Sequence, residues 1–162
     1  MAAGPTYEPI ATTKLTSAAS SVTFSSLGSY TDLRIVIAAG NASGVSAVGV
    51  RYNSDSGSNY SWTRLYGDGS TATSNRNSDT GAYFGIIGTS IAEVFTIDLM
   101  NYCNTNIYKT AISRTNDAAN YVGAYVNLWR NTAAITSLTF LNSNGGNFLT
   151  DSTFTLYGIA AA

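Results

Sequence analysis

Short runs in which successive side chains alternate between apolar and polar recur along this chain, and Gly, Ser, Asn and Asp fill nearly every gap between them. A period of two is the signature of a half-buried strand, and turn residues at such close spacing leave little room for helices. Ten strands are predicted, over residues 8–15, 21–27, 33–39, 45–52, 81–87, 92–102, 107–114, 120–130, 135–141 and 153–159. No stretch of helical length sustains a 3.6-residue period, and the alanine-rich ends are too short to be helical alone. Ten short strands in a chain of 162 residues imply one all-β domain, residues 1–162, built as an antiparallel sandwich or barrel.

The side-chain inventory narrows what such a scaffold can do. Ser, Thr, Asn and Gly make up 71 of the 162 residues, there is no histidine, and Cys103 is the one cysteine. An intrachain disulfide is therefore impossible, and Cys103, beside Tyr102, reads as a small buried hydrophobe with no histidine to activate it. Eight basic against nine acidic residues give a net charge of −1. That leaves no cationic stripe for phosphates, so nucleic acid is not an expected partner. Charged residues are only 10% of the chain, against about 25% in typical domains. A surface so poor in charge tends to associate, which suits a component of an assembly. The first seven residues have neither a basic nor an apolar signal region, and the longest apolar run, residues 33–39, is too short to span a bilayer.

The segment over residues 120–130 is apolar on both faces. Val122, Ala124, Val126 and Leu128 share one; Tyr121, Tyr125 and Trp129 share the other. The aliphatic face is expected to point inward, because Tyr and Trp favour sites with a covered ring and a wet polar tip. The exposed aromatic stripe then needs a cover, either a partner or the chain's own segment 53–80. That segment is the longest without clear alternation, although Trp62, Arg64 and Tyr66 alternate and could form an additional strand. Trp62, Arg64, Tyr66, Tyr121, Tyr125 and Trp129 are thus the candidate contacts for a subunit or a ligand. Aromatic faces stack on sugar rings, while Asn, Asp and Arg serve hydroxyls.

Other motifs read as turns. Asp55 within Asn53-Ser54-Asp55-Ser56-Gly57-Ser58-Asn59 resembles a calcium loop only in outline, since no closing bidentate carboxylate follows. An Asx-turn with Gly57 at positive φ is the expected form. Gly67-Asp68-Gly69 is a turn too, with no lysine or helix start behind it. No Gly-x-Ser-x-Gly elbow occurs, and no carboxylate pair stands out for glycoside hydrolysis. A catalytic site, a metal and a cofactor are accordingly not expected. The sequons at Asn41 and Asn59 read as coincidence in so Asn- and Ser-rich a chain.

Several stretches resemble a group of tailed-bacteriophage virion proteins. They include Tyr7-Glu8-Pro9-Ile10-Ala11-Thr12-Thr13, Tyr30-Thr31-Asp32-Leu33-Arg34, Arg64-Leu65-Tyr66-Gly67-Asp68-Gly69, Gly123-Ala124-Tyr125-Val126-Asn127-Leu128-Trp129-Arg130 and Ser152-Thr153-Phe154-Thr155-Leu156-Tyr157-Gly158-Ile159. The resemblance spans almost the whole chain. It implies a jelly-roll-like β-sandwich, commonly a homotrimer, that acts as a capsid decoration (cement) protein or as a tail-fibre tip. Met1 lies directly before the module with no fibre shaft ahead of it, which favours decoration. The partners implied are then further copies of the chain and the major capsid protein, on the capsid surface of a particle assembled in the bacterial cytoplasm. The alternative implied is a receptor- or glycan-binding module of a tail fibre or spike. Residues 1–8, and the stretch to Pro9, are expected to form an extended arm that adds a strand to a neighbour.

Overall fold

A computed structural model describes residues 6–89, 92–117 and 121–160. Among them are twelve strands and no helix: β1 (Tyr7–Lys14), β2 (Ser21–Phe24), β3 (Asp32–Ala39), β4 (Ser46–Tyr52), β5 (Tyr60–Gly67), β6 (Ala72–Asp79), β7 (Ala82–Ile87), β8 (Glu93–Met100), β9 (Lys109–Asp117), β10 (Tyr121–Trp129), β11 (Leu138–Asn142) and β12 (Thr153–Ile159). They form an eight-stranded sheet, β1-β12-β3-β8-β9-β10-β5-β6, and a four-stranded sheet, β2-β11-β4-β7. Every ladder between strands is antiparallel.

The connectivity is that of a jelly roll. Set aside the hairpins β5–β6 and β9–β10 and number the other eight strands 1 to 8. One sheet then runs 1-8-3-6 and the other 2-7-4-5, so the chain alternates between sheets and folds back on itself as two Greek keys. The two hairpins join side by side and extend the larger sheet past the smaller one.

Alternation along β3, β8 and β12 sends Leu33, Ile35, Ile37, Phe95, Ile97, Leu99, Phe154 and Leu156 into the space between the sheets, opposite Val48, Val50, Phe84 and Phe140. Ring contacts link Phe24 to Phe140 at 6.0 Å, Phe140 to Phe154 at 5.6 Å and Phe154 to Phe148 at 5.1 Å across this interior.

The ten expected strands are present, and segment 53–80 supplies two more. Trp62, Arg64 and Tyr66 lie on β5, and Asp68 closes the β5–β6 turn by accepting the amides of Ser70 (2.9 Å) and Thr71 (2.7 Å). β6 shows no apolar alternation because its sequence, ATSNRNSD, suits a solvent-exposed sheet edge.

Three other expectations are corrected. β10 turns its aromatic face inward: Tyr125 and Trp129 are buried, while Val122 and Val126 are 60% and 46% exposed. Cys103 is exposed, and its neighbour Tyr102 fills the interior instead, donating from Oη to the Gly28 carbonyl at 2.8 Å. The Asx-turn at Asp55 forms, with the Gly57 amide donating at 2.8 Å, but the left-handed residues are Asn53 (φ 52°) and Ser54 (φ 60°) rather than Gly57.

The expected arm is also shorter. Tyr7, Glu8 and Pro9 pair with Ile159, Gly158 and Tyr157 of β12, so they are committed to the chain's own sheet; residues 1–5 lie outside the described residues.

Candidate functional site

The six residues singled out from the sequence do converge. In the β5–β10 ladder Trp62 stands opposite Asn127, Arg64 opposite Tyr125, Tyr66 opposite Gly123 and Tyr60 opposite Trp129, all on the inner face. Four of the six are chiefly structural. Trp129 stacks on Tyr60 (6.2 Å, 22°) and meets Tyr52 edge-on at 5.5 Å. Its indole Nε1 donates to Asp55 Oδ2 at 2.7 Å. Trp62 stacks on Tyr83 at 5.1 Å, and Tyr83 packs on Tyr125 at 5.4 Å. Tyr52 of β4 and Tyr83 of β7, from the smaller sheet, therefore cover the aromatic face, while segment 53–80 lies beside it in the same sheet instead of folding over it.

This arrangement seals a sheet edge. β7 has no strand neighbour on its outer side, and unpaired backbone groups at an interior edge are costly. Side chains of β9 and β10 take the place of a strand. Asn127 accepts from Tyr83 N at 2.7 Å and donates to Tyr83 O at 2.8 Å. Ser113 Oγ donates to Phe84 O at 3.0 Å. Tyr121 Oη accepts from Ile86 N at 2.8 Å and donates to Ile86 O at 3.2 Å. Burial pushes the Tyr121 hydroxyl far up and holds that of Tyr83 at about 12. The hydroxyls thus stay protonated donors throughout the ordinary pH range.

Arg64 and Tyr66 remain at the surface, half-buried. The Arg64 guanidinium lies 4.4 Å from the Tyr66 ring centroid and 5.6 Å from that of Trp62, while Nε donates to Asn75 Oδ1 at 2.5 Å. It is a cation held flat between rings and braced from β6.

The larger unassigned feature lies on the opposite face of the same strands. Leu65 (62% exposed), Val122 (60%), Val126 (46%), Val94 (46%) and Ile112 (41%) all project outward from the eight-stranded sheet. Register makes four of them contiguous: Val126 faces Ile112, and Leu65 faces Ala124 between Val122 and Val126, whereas Asn116, opposite Val122, and Arg114, between Ala124 and Thr96, part them from Val94. An open depression of about 740 Å³ at the β5–β6 end includes Leu65, Val122, Ala124, Ala72 and Arg114 in its lining. At the rim, Arg34 makes a bidentate pair with Asp98, at 2.6 and 2.8 Å. The sequence signal for this face was the aliphatic stripe of β10 itself. With both faces of one strand apolar, whichever face is not core must be exposed or covered by something else.

Among the described residues, no group of three or more Cys, Asp or Glu is placed to hold a metal ion.

No family model matches the chain, and no curated protein matches it. Among solved structures, the galectin LEC-6 of Caenorhabditis elegans is similar over 93% of this chain and 96% of its own, with 7% sequence identity and a TM-score of 0.34. At that score the likeness carries no argument about function.

Proposed function

We propose that this protein is a phage virion structural protein, a capsid decoration protein that docks on the shell through the outer face of its eight-stranded sheet. The observation behind this reading is the contiguous apolar patch of Leu65, Ile112, Val122 and Val126 on an otherwise hydrogen-bonded jelly roll. A patch with an apolar centre, an arginine within it and a polar rim has the composition of a protein interface. These side chains are already partly covered by their neighbours, so completing their burial contributes about 1 kcal/mol each, roughly 4 kcal/mol gross for the four.

Three copies around a junction of shell subunits would sum that contribution without further chemistry. A surface complementary only to the expanded shell would stabilise that state by mass action. The resemblance of the sequence to virion proteins is what suggests the major capsid protein as the partner. Quantitative mass spectrometry of purified particles tests the reading. A copy number near that of the shell protein is expected; a few copies per particle would move the protein to the tail, and absence from the particle would refute both placements.

A further inference from the structure

On the far side of the domain from the apolar patch, a half-enclosed groove of about 430 Å³ crosses the outer surface of the four-stranded sheet. Its floor is β4 at Gly49, with the turn after β11 (Ser143, Asn144) on one side and Asp79, Thr80 and Tyr83 on the other. A ligand here meets the Ser143 side chain above the glycine. At Gly49, even a Cβ would stand 2.5 Å from Ser143 Oγ, so that hydroxyl lies directly over the glycine backbone. The Arg51 stem passes over Gly81, where a Cβ would meet its Cγ at 3.7 Å.

The polar groups define what fits. No hydrogen bond or ion pair engages Arg51 among the described residues, so its guanidinium keeps its full fork of donors. Asp79 is held in place by the Thr80 amide on Oδ1 (2.7 Å) and by Trp62 Nε1 on Oδ2 (3.4 Å), with lone pairs left over. Ser143, Asn144 and Thr80 add hydroxyl and amide groups. A peptide bound as an added strand would need a free backbone edge, whereas β4 is paired on both sides, to β11 and β7. A volume at the lower end of the ligand-pocket range, lined by one guanidinium free to take a carboxylate and by a carboxylate, hydroxyl and amide able to take hydroxyls, suits a small polyol that carries one carboxylate.

We infer that this groove binds an acidic saccharide, its carboxylate on the Arg51 fork and its ring hydroxyls on Asp79, Ser143 and Asn144. The inference is independent of where the protein sits on a particle.

The test is saturation-transfer NMR and calorimetry on the full chain, with D-glucuronate, methyl glucoside, acetate and an acidic tripeptide as probes. Glucuronate is expected to bind about tenfold more tightly than methyl glucoside, the ratio that one charge-assisted bidentate contact supplies. Arg51→Gln should remove that preference. Arg51→Lys should keep only part of it, because an ammonium lacks the planar fork. Should Arg51→Gln fail to fold, Asn144→Asp on the exposed turn sets a negative charge at the mouth and should weaken glucuronate alone. Absence of transfer to glucuronate overturns the inference. So does acetate binding as tightly as glucuronate, tighter binding of the tripeptide, or affinity unchanged in both the Arg51→Gln and Asn144→Asp proteins.

Discussion

Replacing Asp55 by alanine should destabilise the domain well beyond what one loop residue would suggest. Its carboxylate accepts three hydrogen bonds, from Trp129 Nε1 at 2.7 Å, Asn59 Nδ2 at 2.9 Å and the Gly57 amide at 2.8 Å. The Asn59 and Gly57 donors lie in a wet loop and recover water when the acceptor is lost, so they contribute a few tenths of a kcal/mol each. Trp129 is 1% exposed, and its N–H would be stranded in the interior. A buried donor left unmade costs about 1–3 kcal/mol, more when the lost acceptor was charged. The sum is about 2–3 kcal/mol, which for a domain of this length lowers Tm by roughly 5–10 °C.

Thermal unfolding followed by tryptophan fluorescence and circular dichroism at pH 7 measures that shift. A double-mutant cycle with Trp129→Phe isolates the pair, and a coupling of at least about 1 kcal/mol is expected. The pH dependence gives a second check. The hydrogen bond from Trp129, followed by that from Asn59, holds the Asp55 carboxyl below its ordinary value of 3.8. The stabilisation is therefore present above that value and is lost as pH falls through the lower folded-state value. Asp55→Ala should flatten the acid limb of the stability curve. An Asp55→Ala protein melting within about 2 °C of the parent, with negligible coupling to Trp129, would refute the reasoning.

On the outer face, Val126→Lys or Leu65→Lys should leave Tm nearly unchanged, since both sites are exposed, while abolishing sedimentation with expanded shells; undiminished co-sedimentation would sink the docking surface. Alkaline pH should destabilise the domain. Burial raises the hydroxyls of Tyr60, Tyr83 and Tyr102 to about 12, above their unfolded value of 10.0, so their stabilisation is complete below pH 10 and disappears as pH rises from 10 towards 12. About 1 kcal/mol each by pH 11, after allowing for solvent screening, corresponds to a Tm lower by roughly 6–12 °C than at pH 9. A flat melting curve over that interval would refute the assignment. Cys103 should react with a maleimide in the native protein without lowering Tm by more than about 1 °C, and a thiol that reacts only in denaturant would contradict its exposure.

Periodicity shows which residues share a face but not which face is inside, and β10 shows why the distinction matters. Its two faces are both apolar, and the preference of Tyr and Trp for wet polar tips favoured the wrong one. What decides the orientation is non-local: Asp55 reaches Trp129 Nε1, and the edge of β7 presents backbone groups to Tyr121 and Asn127. The tips of Tyr121 and Trp129 thus find partners inside the domain, and water loses its advantage. β6 went unseen for a related reason, since an edge strand held by β5 needs neither β-branched residues nor a buried face. The groove was less legible still. Arg51, Asp79 and Ser143 come from three segments that meet only through the pairing of β4 with β7 and β11.

The inner and outer faces of the larger sheet's extension have a common origin. A jelly roll of eight strands closes over its own core, and extending one sheet by β9, β10, β5 and β6 creates inner surface that the smaller sheet cannot fully cover. Large rings on the inner face of that extension, and side chains that mimic a strand along β7, fill the shortfall. The outer face of the extension has no such internal remedy, yet it carries Leu65, Ile112, Val122 and Val126 rather than the Thr pairs found elsewhere, such as Thr12 with Thr155. Solvent alone gives no reason for that choice of side chains, whereas a partner pressed against the extension does.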